Sequence, residues 1–195
     1  VLLGLAVFAG TFDIAAVETL FTDEPAGKTF GELVRKSLVV AEAGPGGTRR
    51  YRLLESVREF AAAELAATED AVRLSARHAD LYLARAEAAW EQSETKDRRL
   101  VAERLILDLA NLRAALAWLR EHDSDRLLQL CGALGWFWEF HYLDADAEQW
   151  TEHALKATVD QDSPRRARAL EAAAAGLRSA GVARRDPGGP GEPVR

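Results

Sequence analysis

The stretch that decides the fold is residues 49–65, RRYRLLESVREFAAAEL. Its first five residues, Arg49–Leu53, are predicted to form a strand, because Tyr51 and Leu53 alternate with Arg50 and Arg52. The rest has the spacing of an amphipathic helix. A second apolar strand is predicted at Ser37–Glu42, which contains two β-branched valines. The Gly/Pro-rich residues 43–48 lie between the two strands and favour a hairpin turn.

Two helices are predicted ahead of this hairpin. Asp13 is a favourable N-cap for Ile14–Phe21, and Phe12 and Val17 have the spacing of a hydrophobic staple. A second short helix is predicted at Thr29–Lys36, with its apolar residues on one side. Because a helical pair, a two-stranded ribbon and a further helix is the layout of a winged helix, the sequence predicts a winged-helix domain over residues 1–68, with a truncated first helix.

The remainder is predicted to be a TPR-like antiparallel helical array over residues 69–180, so the fold class is mainly α. Leucines recur at helical spacing from Leu105 to Leu119, and Val57, Phe60 and Leu65 mark a similar stripe. The helix from Leu127 is apolar on two sides, which favours a stack of helical hairpins. Residues 181–195 contain seven Gly or Pro and are predicted to be a disordered tail, unless they are an out-of-frame product.

The charge distribution argues against a nucleic-acid footprint. Net charge is −6 for 195 residues, and residues 1–68 carry 7 Lys/Arg against 9 Asp/Glu. Affinity for DNA depends largely on neutralised phosphates, so we expect DNA binding by this segment to be unlikely. The alternative is a winged-helix DNA-binding module in which Thr29–Lys36 is the recognition helix. Its candidate contacts are Lys28, Arg35, Lys36, Arg49, Arg50 and Arg52.

No catalytic constellation is found, and we predict a non-enzymatic chain without a metal site. The four histidines are scattered, and Cys131 lies on an apolar stripe as a core filler. The tryptophans fit helix packing, although Trp136 and Phe140 are candidates for a ligand or peptide groove. No apolar run reaches the roughly 20 residues of a membrane span, and the expected location is the cytoplasm. The absence of Met suggests an internal piece of a longer protein.

Six segments together resemble the large STAND-type, NB-ARC-like signalling ATPases of actinobacterial LuxR-like and SARP-like transcriptional regulators. They are LAVFAGTFDIAAVETL (5–20), ELVRKSLVVAE (32–42), RYRLLESVREFAAAEL (50–65), RHADLYLARAE (77–87), LANLRAALAWL (109–119) and ALGWFWEF (133–140). The resemblance implies an upstream ATPase domain that would bind ATP or ADP, with no cofactor in this segment itself. The winged helix would pack on that domain, and the helical array would act as a sensor or scaffold for an unknown protein or small-molecule inducer.

The resemblance also implies where nucleotide sensing would occur. In related NB-ARC proteins a Met-His-Asp motif closes the winged helix, and its histidine contacts ADP. Leu53, Leu54 and Glu55 occupy that place here. Leu54 has no group that can donate a hydrogen bond to a phosphate, so the motif is predicted to be degenerate. The resemblance further implies a glycine where Tyr142 stands, which predicts a distorted turn.

Overall fold

The computed structural model of this chain describes residues 1–22, 26–158, 164 and 166–172. The chain forms two compact units, Val1–His122 and Asp123–Arg195. The winged helix shares the first unit with the helices that follow it, and the boundary predicted near residue 68 stays a prediction. The predicted tail 181–195 lies outside the described residues. Among the described residues, no helix has the length and apolar character needed to cross a membrane.

A winged helix forms the first part of the first unit, as the sequence predicts. A short 3₁₀ segment takes the place of its first helix. The elements in chain order are the 3₁₀ segment Leu3–Val7, α1 Ile14–Leu20, α2 Ala26–Arg35, β1 Val39–Ala43, β2 Arg49–Leu53 and α3 Glu55–Ala66. The predicted N-cap of α1 is confirmed, because the Asp13 carboxylate accepts a hydrogen bond from the amide of Ala16 at 2.8 Å.

The two predicted strands pair in antiparallel register, with Val39 opposite Leu53 and Ala43 opposite Arg49. The chain turns between them through Gly46 and Gly47, whose φ angles of 67° and 77° suit residues without a Cβ. An isolated antiparallel bridge between Phe12 and Tyr51 was not predicted from the sequence. The backbone of Phe12 exchanges two hydrogen bonds with that of Tyr51, of 2.8 and 2.7 Å. This bridge fixes the start of α1 against the hairpin.

Three further helices complete the first unit: α4 Asp70–Thr95, α5 Arg98–Leu105 and α6 Leu109–His122. Helix α4 packs against α5, α6, α1 and the 3₁₀ segment. The apolar face predicted from Leu105 to Leu119 is confirmed by the burial of Leu105, Leu112, Leu116 and Leu119. It belongs to two helices, because a 3₁₀ turn at Ile106–Asp108 separates α5 from α6. That turn places the side chain of Asp108 in the interior, where it meets two arginines.

One predicted core position on α3 is also wrong. Ala61 and Leu65 are buried, but the Phe60 side chain is 61% exposed. Helix α3 buries only the face that packs on the 3₁₀ segment, which is narrower than the predicted stripe.

The second unit contains α7 Ser124–His141 and α8 Asp144–Ala157, which pack on each other, and helical residues 166–172. The predicted stripe of α7 is confirmed, with Leu127, Leu130, Cys131, Leu134 and Trp138 all buried. The array is helical throughout its described residues, and its TPR-like character stays a prediction. Tyr142 adopts the left-handed conformation, with φ 54°. The turn therefore keeps its capping hydrogen bonds from Tyr142 and Leu143, and the distortion predicted there is wrong.

Helical residues 166–172 approach α7 at Gly135, which leads to a prediction. A Cβ built on Gly135 would lie 2.5 Å from the Cβ of Ala172 and 2.9 Å from its Cα. The Gly135→Ala substitution should overpack this contact, at a cost of about 1–3 kcal/mol, and so exceed the gain of up to about 1 kcal/mol in helix propensity. Thermal unfolding should show a lower midpoint for the variant.

Gly31→Ala is the matched control, since Gly31 lies on the exposed side of α2 and a Cβ there meets no atom within 4 Å. That substitution should stabilise the chain by up to about 1 kcal/mol. Equal effects of the two substitutions on the midpoint would contradict the close packing at Gly135.

Candidate nucleic-acid interface and the charged cluster behind it

An aromatic group behind α2 positions that helix against the hairpin. The Phe30 ring of α2 meets the Tyr51 ring of β2 edge-on at a centroid distance of 5.0 Å, and Phe12 lies 6.3 Å from Phe30. Phe30 and Leu33 are buried on one side of α2. The opposite side of the helix is therefore directed to solvent.

The solvent side of α2 and the hairpin turn carry the exposed cations of this region. Lys28, Arg35 and Lys36 are exposed on or just after α2, and Arg49 is exposed at the start of β2. Arg35 makes one exposed contact of 3.9 Å with Glu32. Arg52 is half-exposed and pairs with Glu42 across the hairpin. We refer to Lys28, Arg35, Lys36 and Arg49 as the basic face.

The basic and acidic residues of the winged helix lie in different parts of its sequence, which its net charge does not show. Residues 26–52 contain six Lys/Arg and two Glu, whereas the acidic residues of the domain concentrate before and after this stretch. The net negative charge of residues 1–68 is therefore an average over a basic and an acidic part.

Arg50, one of the predicted DNA contacts, is buried, and that prediction is wrong. Its side chain is 9% exposed and its guanidinium donates to the Asp108 carboxylate at 2.6 Å. The same group donates to the carbonyl of Thr11 at 2.7 Å and to that of Leu107 at 3.0 Å. Since its donors are used inside the unit, Arg50 cannot contact a phosphate.

Arg50 belongs to a charged cluster of four side chains, in which Arg50 and Asp108 are buried and Asp13 and Arg85 are partly exposed. Arg85 of α4 donates to Asp108 at 2.8 Å and to Asp13 at 2.7 Å. Burial and these partners act in opposite directions on the pKa of Arg85, and the two carboxylates raise it above its ordinary value. Burial likewise opposes the charge of Asp13, but Arg85 and the other partners outweigh it and lower the pKa of Asp13.

The side-chain amide of Asn111 connects α6 to the segment before α1. Asn111 is fully buried, and its carbonyl oxygen accepts hydrogen bonds from the amides of Ala9 at 2.9 Å and Gly10 at 3.3 Å. Its amide nitrogen donates to the carbonyl of Thr11 at 2.8 Å. Together with the charged cluster, Asn111 joins the segment before α1 and the base of β2 to α4 and α6.

Sequence reasoning missed the charged cluster, although one signal for it was present. Arg85 falls in the otherwise apolar stripe of α4 formed by Leu74, His78, Leu81 and Tyr82. A charged residue at a core-facing helix position requires a buried partner. The sequence offered no means of choosing Asp13 and Asp108 from the many carboxylates of the chain.

The other predicted site residues are not part of the basic face. Leu53 is 5% exposed, Leu54 is 38% exposed, and Glu55 pairs with Arg58 at 2.5 Å at the start of α3. Their nucleotide-sensing role and its predicted degeneracy stay predictions. In the second unit Trp136 is 8% exposed and Phe140 is 37% exposed. Their role as the lining of a ligand or peptide groove stays a prediction.

His78 gives the first unit a predicted pH dependence. Burial lowers the pKa of His78 from 6.5 to about 4, with the positive charge of Arg85 acting in the same direction and Asn111 opposing it. Between these pH values the unfolded chain binds a proton that the folded chain does not, so stability should fall as pH drops from 6.5 to 4. The loss should approach roughly 3 kcal/mol.

Urea unfolding at several pH values between 4 and 7 measures this effect. His78→Leu should reduce the decline in the free energy of unfolding over this window, because the titrating imidazole is gone. If the variant shows the same decline as the original chain, other groups cause the acid sensitivity.

Comparison with known proteins agrees with this geometry. Residues 1–66 match the family model described as "Winged helix-turn-helix domain", which defines the class of the N-terminal part. The chain is also 41% identical over 145 residues to proteins of Mycobacterium bovis and of two Mycobacterium tuberculosis strains, each named "Putative HTH-type transcriptional regulator". The match covers 70% of this chain and 16% of each relative, so the chain spans a minor share of their length. No solved structure matches significantly.

Proposed function

We propose that this chain is a non-enzymatic, winged-helix segment of a cytoplasmic transcriptional regulator and that its basic face contacts DNA. The observation that carries the proposal is the segregation of charge: four exposed cations lie on α2 and the hairpin of an otherwise acidic chain. The names of the mycobacterial relatives support a regulatory role. This proposal reverses the expectation, drawn from total charge, that DNA binding by the segment is unlikely.

The geometry favours α2 as the element nearest the nucleic acid. Its apolar side is held by Phe12 and Tyr51, so the helix is rigidly placed and its polar side is free. Helix-turn-helix proteins place their second helix in the major groove and hold the backbone with cations around it. Arg49 next to the hairpin turn supplies a further exposed cation, whereas Arg50 is buried and holds the hairpin from within.

A fluorescence anisotropy titration of the 195-residue chain with a labelled duplex of about 30 base pairs tests this role. Binding at 50 mM salt should weaken as salt rises, and the slope of log K against log salt should be about −3 to −4 if the four cations meet phosphates. Absence of binding at low salt, or a slope near zero, would refute DNA contact by the basic face.

A second candidate, favoured by a separate observation, is a domain-packing role. Phe60 of α3 and Leu54, the residue before that helix, expose 61% and 38% of their surface. The resemblance to STAND-type ATPases assigns the winged helix a place against an upstream domain that binds ATP or ADP, and these side chains supply apolar surface for it. In the longer parent protein, Phe60→Ser should then change the rate of nucleotide exchange. An unaltered rate would remove this candidate.

A further inference from the structure

A groove between α4 and α5 in the first unit has no assigned role. Its volume is about 250 Å³, and its apolar wall is formed by Ala88, Ala89, Val101 and Leu105. Since a water molecule occupies about 30 Å³ of liquid, the groove holds roughly eight water molecules. That space fits a small molecule of about six to eight non-hydrogen atoms.

The charged side chains that line the groove, Arg85, Arg104 and Asp108, carry a net positive charge. Arg104 of α5 is exposed and makes no ion pair with any side chain in the described part of the chain. Arg85 also lines the groove, but its guanidinium already donates to Asp13 and Asp108, and Gln92, two turns further along α4, contributes an amide. Asp108 also lines the groove, but its two carboxylate oxygens already accept from Arg50 and Arg85. The groups left to a ligand are therefore mainly hydrogen-bond donors.

We propose that this groove binds a small aliphatic carboxylate, with its acid group on Arg104 and its hydrocarbon chain against Ala88 and Leu105. Apolar walls with a few convergent polar groups are the usual composition of small-molecule sites. An arginine binds a carboxylate through two parallel hydrogen bonds, which makes a carboxylate the fitting anion for this rim. The site goes beyond the proposed DNA contact, because no residue of the groove belongs to the basic face.

The probe is hexanoate, compared with 1-hexanol, which has the same chain length and no charge. Titration of the ¹⁵N-labelled 195-residue chain, followed by amide chemical shifts, should place the largest changes on α4 and α5 for hexanoate. The dissociation constant should be on the order of 1 mM, which corresponds to about 4 kcal/mol for eight non-hydrogen atoms. 1-Hexanol should bind at least about tenfold more weakly.

Two variants locate the binding. Arg104→Gln should weaken hexanoate at least about tenfold, and Ala88→Leu should abolish the shifts by filling the apolar wall. Arg99→Gln is the matched control, because Arg99 lies on α5, pairs with Glu103 at 2.8 Å and does not line the groove.

Loss of hexanoate binding in Arg104→Gln and Ala88→Leu, with Arg99→Gln unaffected, would support the site. Shifts outside α4 and α5, or equal binding by all three variants, would overturn it. These readouts do not involve DNA, so a failed DNA titration would leave the test of the groove intact.

Discussion

Replacing Asp108 with alanine should destabilise the first unit by about 3–5 kcal/mol. The substitution removes the carboxylate that Arg50 and Arg85 share, at 2.6 and 2.8 Å. Arg50 keeps the neutral carbonyls of Thr11 and Leu107, but its nearest remaining carboxylate is Asp13 at 3.9 Å. Breaking a buried ion pair by removing one partner is costly, because the remaining charge stays out of water. The Asp108 side chain is 8% exposed, so solvent cannot compensate for the loss.

Urea unfolding of Asp108→Ala measures this loss, and hydrogen exchange of the α4 and α6 amides localises it. Glu42→Ala is the matched control, because it removes the carboxylate partner of the half-exposed Arg52 from the same hairpin. That change should cost less than about 1 kcal/mol, as exposed ion pairs usually do. Comparable costs for the two substitutions would show that the charged cluster adds little to the stability of the unit.

The joint replacement of Lys28, Arg35 and Lys36 by glutamine should weaken DNA binding by roughly 100-fold at low salt. Each lost phosphate contact should also reduce the magnitude of the salt slope by about one, so the variant should retain a slope of about −1. All three side chains are exposed, and their removal should leave the thermal midpoint nearly unchanged. The loss of affinity can then be assigned to the basic face itself.

The control for this experiment is a variant with the same change in net charge on other helices, namely Arg99, Arg104 and Arg113 replaced by glutamine. These residues lie on α5 and α6 and outside the basic face. If both triple variants lose affinity equally, DNA responds to net charge alone, and α2 has no special part in binding.

Local patterns predicted much of the fold. The strand at Arg49–Leu53, the N-cap at Asp13 and the buried stripe of α7 were all identified from residues within one or two turns of each other. Such features depend on hydrogen bonding and periodicity over short distances, which a single sequence displays. Lys28, Arg35 and Arg49 are exposed, and their role as DNA contacts stays a prediction.

The errors arose where distant residues decide the outcome. The sequence of the strand gives no reason to separate Arg50 from Arg49 and Arg52 as a candidate phosphate contact. Arg50 is buried only because it packs against Asp108, a residue 58 positions away. Phe60 matches the period of a buried stripe, but α3 lacks a neighbour on that side within the described residues. The 3₁₀ turn at Ile106–Asp108 likewise interrupts a leucine pattern that looks continuous in the sequence.

The sequence by itself determined a winged helix followed by helices, because strand alternation, helix caps and apolar periodicity are local properties of the chain. Only the tertiary structure decided which charges face solvent and which hold the unit together. Burying Arg50 is favourable only where Asp108 and the carbonyl of Thr11 meet it, and those groups come from separate elements. Long-range packing therefore decides that the basic face is exposed while Arg50, from the same basic segment, is buried.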